Sequence, residues 1–458
     1  MVTMGKKQQL ADDEENCYGV GGAESAGGVD AEGRATDLRP LALSSPHTQA
    51  FHLAWLSLFA CFFAAFAAPP ILLALRPALV LAPSDSAAAV GSLSATLVGR
   101  LAMGPTCDLL GPRRASGFAS LLAALAVAVT ASSPAGFVAL RFAAGLSLAN
   151  FVANQHWMSG IFAPSAIGLA NAVAAGWANV GSAAAQLVMP LAYEHVLRLG
   201  VPITVAWRVT YLLPCALLIT TGLAVLAFPY DDLPRGAGVG GGAKTGKSFW
   251  KVVRGGVGNY RAWVLAITYG YCYGVELIME NVAAEFFRKR FHLPMEAAGA
   301  AAACFGAMNA VARPAGGVAS DAVARLFGMR GRLWLLWAVQ TAGAALCVLV
   351  GRMGAAEAPS LAATMAVMVA SLGVVSGMTA SGGAVGAIVT NRLFFSGSRY
   401  TIEEAISLTG AASLVCTLPL ALVHFPRHGG MLCSPTSAGG DDAEYDDNNS
   451  AGDYMLLK

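Results

Sequence analysis

Apolar runs of about 20 residues, the length a helix needs to cross the hydrocarbon layer of a bilayer, recur along this chain from Phe51 to Phe425. Few folds are open to such a sequence, because in hydrocarbon every backbone N–H and C=O must find its partner within the spanning segment or its immediate neighbours. Composition agrees: 56% of the 458 residues are hydrophobic and 12% are charged, against about 25% charged in an ordinary soluble domain. Spans are expected at about 51–75, 88–107, 115–133, 135–157, 166–190 and 204–228, and again at 261–287, 297–319, 332–351, 359–372, 376–395 and 402–425. The expectation is an all-α membrane protein in two halves, residues 49–228 and 259–427, joined by a Gly-rich basic linker at 229–258. The polar tail 1–48, with its run Asp12-Asp13-Glu14-Glu15, and the acidic tail 428–458 read as disordered. Basic residues such as Arg113, Arg114 and those between Lys244 and Arg254 place linker and tails on the cytosolic side. Arg288-Lys289-Arg290 runs against that bias and reads as a solvated helix end.

Two arginines interrupt the apolar pattern, and each opens the same motif, Arg-x3-Gly-x3-Asp. One is Arg100 with Gly104 and Asp108; the other is Arg313 with Gly317 and Asp321, 213 residues later. A charge at the bilayer centre costs about 2.5–3.5 kcal/mol on insertion scales. Two such charges at matching places in a duplicated chain imply a paired task, and a small anion shared by the halves fits it. The repeat continues in Ala175-Gly176-Trp177-Ala178-Asn179-Val180-Gly181 and Ala380-Ser381-Gly382-Gly383-Ala384-Val385-Gly386, offset by 205. The signature glycines Gly176, Gly181, Gly382, Gly383 and Gly386 let helix backbones approach closely.

The register also exposes a shortfall. From Arg141 to Tyr193 the first half uses 52 residues for two spans, whereas Pro359 to Arg399 offers only 40; two crossings and a turn need about 44 or more. The tenth span is therefore expected to be short, broken or partly missing.

Glu276 and Glu280 lie four apart on one helix face. A carboxylate there either carries protons or partners an arginine, and both readings stand. Asp108-x2-Gly111-x-Arg113 at an inner helix end reads as a gate, Asp108 accepting from a neighbouring helix N-terminus while the arginines stay in water. Arg141 is read as structural, satisfied by snorkelling. Gly241 to Ser248 meets the Gly-x4-Gly-Lys-Ser spacing of a phosphate loop, but it lacks the buried strand that such a loop needs. Neither a nucleophile and base pair nor a Cys/His metal cluster appears, so no enzyme, cofactor or metal is called for. The basic residues lie in short loops, which excludes nucleic acid.

The segments Phe151-Val-Ala-Asn-Gln-His-Trp157, Ala174-Ala-Gly-Trp-Ala-Asn-Val-Gly181, Tyr269-Gly-Tyr-Cys-Tyr-Gly-Val-Glu276, Ser376-Gly-Met-Thr and Leu422-Val-His424-Phe-Pro, with the two arginine motifs, resemble the nitrate/nitrite porter family of the major facilitator superfamily, in its eukaryotic high-affinity nitrate transporter branch. The resemblance runs from about Phe51 to Pro426 and implies the major facilitator fold, two pseudo-symmetric six-helix bundles with twelve helices. It implies proton-coupled uptake of nitrate, with nitrite a second substrate, across the plasma membrane, and a small single-span accessory subunit besides the membrane lipid. Arg100 and Arg313 would hold the anion from opposite sides, Asn179 and Tyr269 would add hydrogen bonds, and Phe151 would pack against it. Glu276 and Glu280 are the proton-coupling candidates. The sequence departs from the family at Ala384, where the family has Asn, at Arg392, where it is apolar, and in the missing part of the tenth span. A nitrate sensor that does not transport, or a carrier for another small anion, is the alternative.

Overall fold

The computed structural model describes residues 28–30, 33–41, 45–79, 87–128, 133–163, 165–228, 258–375, 383–395, 399–425 and 429–432. Most of the linker, including Gly241 to Ser248, and the last 26 residues lie outside them, as do Ser376 to Gly382. In the first half the helices are α1 (Pro46–Ala65), α2 (Leu72–Leu79), α3 (Ala87–Leu110), α4 (Pro112–Ala128), α5 (Pro134–Leu146), α6 (Asn150–Ile161), α7 (Ile167–Arg198), α8 (Ile203–Thr210) and α9 (Leu212–Ala227). The second half supplies α10 (Tyr260–Phe291), α11 (Met295–Ala307), α12 (Asn309–Ala355), α13 (Leu361–Val375), α14 (Gly383–Thr390) and α15 (Ile402–Thr417). A helical segment stands at each expected span. Seven stretches among the described residues are long and apolar enough to cross a membrane, so the chain is an integral, multi-pass membrane protein.

Local chemistry sets the breaks. Pro69 and Pro70 open a 3₁₀ turn between α1 and α2, and Ser147–Ala149 forms another between α5 and α6. Gly111, at φ 82°, ends α3 and Pro112 starts α4, the glycine supplying a left-handed backbone and the proline a preset φ. α12 runs through two expected spans, and its interruption is Gly328 at φ 61°, ψ −152°, a region that only glycine enters cheaply. α15 begins with a capping box between Thr401 and Glu404.

Small residues set the packing. A methyl on Gly145 would stand 2.1 Å from the Ser92 carbonyl of α3, and one on Gly181 would stand 2.3 Å from the Phe59 carbonyl of α1. Across the two halves, α7 packs on α11 and α12, and α3 packs on α14. Gly299 approaches the Gln186 carbonyl and Gly306 approaches Ser182 and Ala183.

The expected shortfall falls at a stretch described only in part. α13 is described over the 15 residues Leu361–Val375 and α14 over the 8 residues Gly383–Thr390, with Ser376 to Gly382 between them outside the described residues. α14 continues as a five-residue π turn, Asn391–Phe395.

Both tails are shorter than the sequence suggests. Within the expected disordered tail 1–48, residues 33–41 pack on the first half. Ala35 exchanges backbone hydrogen bonds with Ile161 and Ala163, both 2.9 Å. His47 Nε2 reaches the Gly33 carbonyl at 2.8 Å and His52 Nε2 reaches that of Pro40 at 2.7 Å. At the other end, His424–Phe425 pairs with Gly429–Gly430, beyond the expected boundary at 427. Met431 is buried, and its carbonyl accepts from Arg330 Nε and Trp334 Nε1, each at 3.1 Å. A few buried apolar and carbonyl groups fix these segments, which average composition hides.

Candidate substrate-binding site

Arg100, near the middle of α3, and Arg313, one turn into α12, converge on one ring. Their Cζ atoms lie 5.1 and 5.9 Å from the centroid of Tyr273 on α10. The guanidiniums are therefore no farther apart than the sum of those distances. Arg100 Nη2 also donates to the Tyr273 hydroxyl at 3.1 Å, and its Cζ stands 5.0 Å from the ring of Phe151. Aromatic faces give a guanidinium electrostatic company without neutralising it. Arg100 Nε is buried without a partner.

Arg313 is held differently. It is 3% exposed, and its Nη2 donates to both oxygens of Glu276, which is 1% exposed, at 3.1 and 3.0 Å. Its Nε donates to Asn309 Oδ1 at 3.0 Å, and Asn309 Nδ2 donates to Glu276 Oε1 at 3.0 Å. Asn309, Glu276 and Arg313 thus form a closed ring of charge-assisted hydrogen bonds. Of the two readings the sequence leaves for Glu276, the arginine partner is the one seen here.

One turn along α10, Ser182 Oγ of α7 donates to Glu280 Oε1, and Gln186 Nε2 meets the Glu280 backbone carbonyl at 2.5 Å. Glu280 Oε2 is buried and unpartnered. Asn179 on α7 is fully buried, with Nδ2 on the Ala175 carbonyl at 3.1 Å and Oδ1 unpartnered. Gly176 explains how α7 comes so near: a methyl there would meet the Asn309 carbonyl at 2.6 Å and Arg313 Cβ at 3.3 Å.

Not every anticipated residue joins this cluster. Tyr269 lies one turn before Tyr273 on α10, with its side chain outside the described atoms. Gly382 lies outside the described residues, while Gly383 and Gly386 lie on the α14 backbone. Asp108 is exposed, without a partner among the described residues. The gate reading is corrected at Arg113, which is half-buried and donates to the carbonyls of Val225, Leu226 and Phe228 at 3.2, 3.0 and 2.7 Å. Cation and helix C-terminus attract here, so the arginine rather than the aspartate caps a neighbouring helix. Arg141 does not snorkel. It is 3% exposed, donating to the Ala65 carbonyl at the end of α1 and to Asn281 Oδ1 at 2.9 Å. In the basic cluster at the end of α10, Lys289 pairs with Glu285 at 2.6 Å and Arg290 donates to the Gly354 and Ala356 carbonyls, each at 2.5 Å.

Sequence reasoning passed over Tyr273, Asn309 and Ser182. A spacing signal existed for two of them: Tyr269, Tyr273, Glu276 and Glu280 share one face of a helix, and Asn309 stands one turn before Arg313.

The sequence matches the Major Facilitator Superfamily over residues 54–422. It is 76% identical over 489 aligned positions, covering all of both chains, to a protein of Oryza sativa subsp. japonica named "Probable high-affinity nitrate transporter 2.4". An alignment longer than this chain means that the rice protein holds residues this one lacks. The chain is 46% identical, over 90% of each chain, to "High affinity nitrate transporter 2.7" of Arabidopsis thaliana. Among solved structures, a bacterial homologue of human drug peptide transporters superposes with a TM-score of 0.55 at 15% identity, covering 82% of this chain and 98% of that one. A nucleoside transporter superposes at 0.54 and 14%, covering 81% and 98%. At such identities those two likenesses speak for the fold alone.

Proposed function

Because the chain belongs to the major facilitator superfamily, on the eukaryotic high-affinity branch of the nitrate/nitrite porters, and so to a family of transporters and not of enzymes, we propose that it carries nitrate across a membrane by proton-coupled alternating access. The observation that carries this reading is the convergence of Arg100 and Arg313, from the two halves of the chain, on the Tyr273 ring. Nitrate is flat, small and singly charged, and planar guanidinium groups match its oxygens. An anion between them relieves the repulsion of two buried cations and favours a state in which both halves close on it. Asn179 and Phe151 add to the site, with Asn179 offering its carboxamide and Phe151 holding Arg100 in place, and the family resemblance adds a hydrogen bond from Tyr269. Nitrite shares the geometry and is the second substrate.

Moving one negative charge into a negative cell costs about 2.3 kcal/mol per 100 mV, so protons must accompany the anion. The carboxylates of Glu276 and Glu280 are the carriers. Plasma membrane is the site of action, and a single-span subunit is the partner.

Purified protein in liposomes tests this directly. An imposed inward proton gradient is expected to drive accumulation of labelled nitrate, and dissipating the gradient abolishes it. The 40 residues from Pro359 to Arg399, few for two crossings and a turn, favour a second reading, a nitrate sensor that binds without carrying; saturable nitrate binding with no accumulation would establish that instead.

A further inference from the structure

Arg313, one of the two anion-facing guanidiniums, already has an anion on it: the carboxylate of Glu276. Resting on the nitrate reading above, we propose that Glu276 is a tethered stand-in for the carried anion. Carboxylate and nitrate exclude one another at Arg313, Glu276 takes up a proton when nitrate displaces it, and Asn309 is the positioning residue that holds both partners in register.

The shapes support an exchange. A carboxylate and a nitrate each present two oxygens in a plane to a guanidinium, so one donor set serves either. With Arg313 3% and Glu276 1% exposed, solvent does not separate them. Asn309 donates to the carboxylate and accepts from Arg313 Nε. When Glu276 leaves, the Nε bond remains to keep the guanidinium aimed, and Asn309 Nδ2 becomes a donor for the guest.

Charge balance ties the proton to the anion. Around Glu276, α12 contributes Arg313, α3 contributes Arg100 through Tyr273, and α10 itself contributes Glu280. α7 brings Ser182 and Asn179, neither charged, and α14 from Gly383 to Thr390 has no titratable side chain. The acids of the remaining packed helices sit at their ends: Glu296 on α11, 4.0 Å from Arg198, and Glu403 on α15, 4.0 Å from Arg290, with Glu404 beside it in the Thr401 capping box. Displaced from Arg313 without a proton, Glu276 would be a buried carboxylate stripped of its cation, a costly state; a proton taken up on Glu276 removes that charge. Glu280 is the weaker candidate for this exchange because its carboxylate accepts from Ser182 on the other half, whereas Glu276 is the one on Arg313.

Calorimetry of potassium nitrate binding to the purified full chain, in two buffers of different ionisation enthalpy, counts protons taken up per anion. The wild-type chain is expected to bind nitrate more tightly as pH falls, by up to about tenfold per pH unit wherever one proton is taken up with the anion, with close to one proton taken up. Glu276→Gln is expected to bind with no pH dependence and no proton uptake, and to carry nitrate downhill but not against its gradient. Asn309→Ala is expected to weaken nitrate binding several-fold while the proton count stays. Wild-type binding without proton uptake overturns the exchange and needs no variant to show it, and pH-dependent binding retained by Glu276→Gln overturns it equally. No nitrate binding by the wild-type chain at any pH would remove the nitrate reading itself, and the exchange with it.

Discussion

At the scale of single residues, the site is made by close approach as much as by charge. Gly176 lets α7 lie against α12 where Arg313 begins, and the nearest atom to its missing side chain is a backbone carbonyl, which cannot swing away. Gly176→Ala is therefore expected to destabilise the closed arrangement by about 1–3 kcal/mol, the usual scale of overpacking, and to depress nitrate uptake. Thermal unfolding of the purified variant together with liposome uptake checks this; an unchanged midpoint with full uptake contradicts it. Arg100 and Arg313 were legible in the sequence because a cation in an apolar run is conspicuous. Tyr273 was not, since an aromatic residue in such a run reads as packing and nothing local says that two arginines share its ring. Glu276 was legible as a buried carboxylate, while its partner, 37 residues on, is revealed only by the fold.

At the scale of elements, α10 behaves as a clasp. Toward Phe291, three residues of this one helix each meet a different helix of the first half: Glu280 meets Ser182 of α7, its neighbour Asn281 meets Arg141 of α5, and Glu285, one turn on, meets Arg76 of α2. The last is a two-bond ion pair, 2.8 and 3.2 Å, with side chains 15% and 12% exposed. A pair so placed is worth more than a surface bridge and less than a fully dry one, about 1–3 kcal/mol. Glu285→Gln is expected to raise the ratio of conformers open at this end by about 5- to 150-fold. Spin labels at Leu199 and Glu357, both exposed, read it as growth of a longer distance; a distribution identical to the wild type contradicts the clasp. The helices were legible from hydropathy alone, but these contacts were not: Arg141 was assigned to water because its partners, Ala65 and Asn281, are distant in sequence.

At the scale of the molecule, the duplicated pattern foretold small residues where α7 meets α11 and α12. What composition concealed were the ends, where Ala35, His47 and Met431 anchor segments that look too polar and Gly-rich to pack. The central claim is that guanidinium groups from the two halves hold one anion between them. Uptake of labelled nitrate by Arg313→Lys, scored against the amount of protein in the membrane, tests it most directly, because lysine keeps the charge and removes the planar fork. Normal insertion with nitrate uptake reduced at least about a hundredfold, the order of magnitude expected when a positioning contact is lost, is the predicted result; near-normal uptake by that variant would contradict the account.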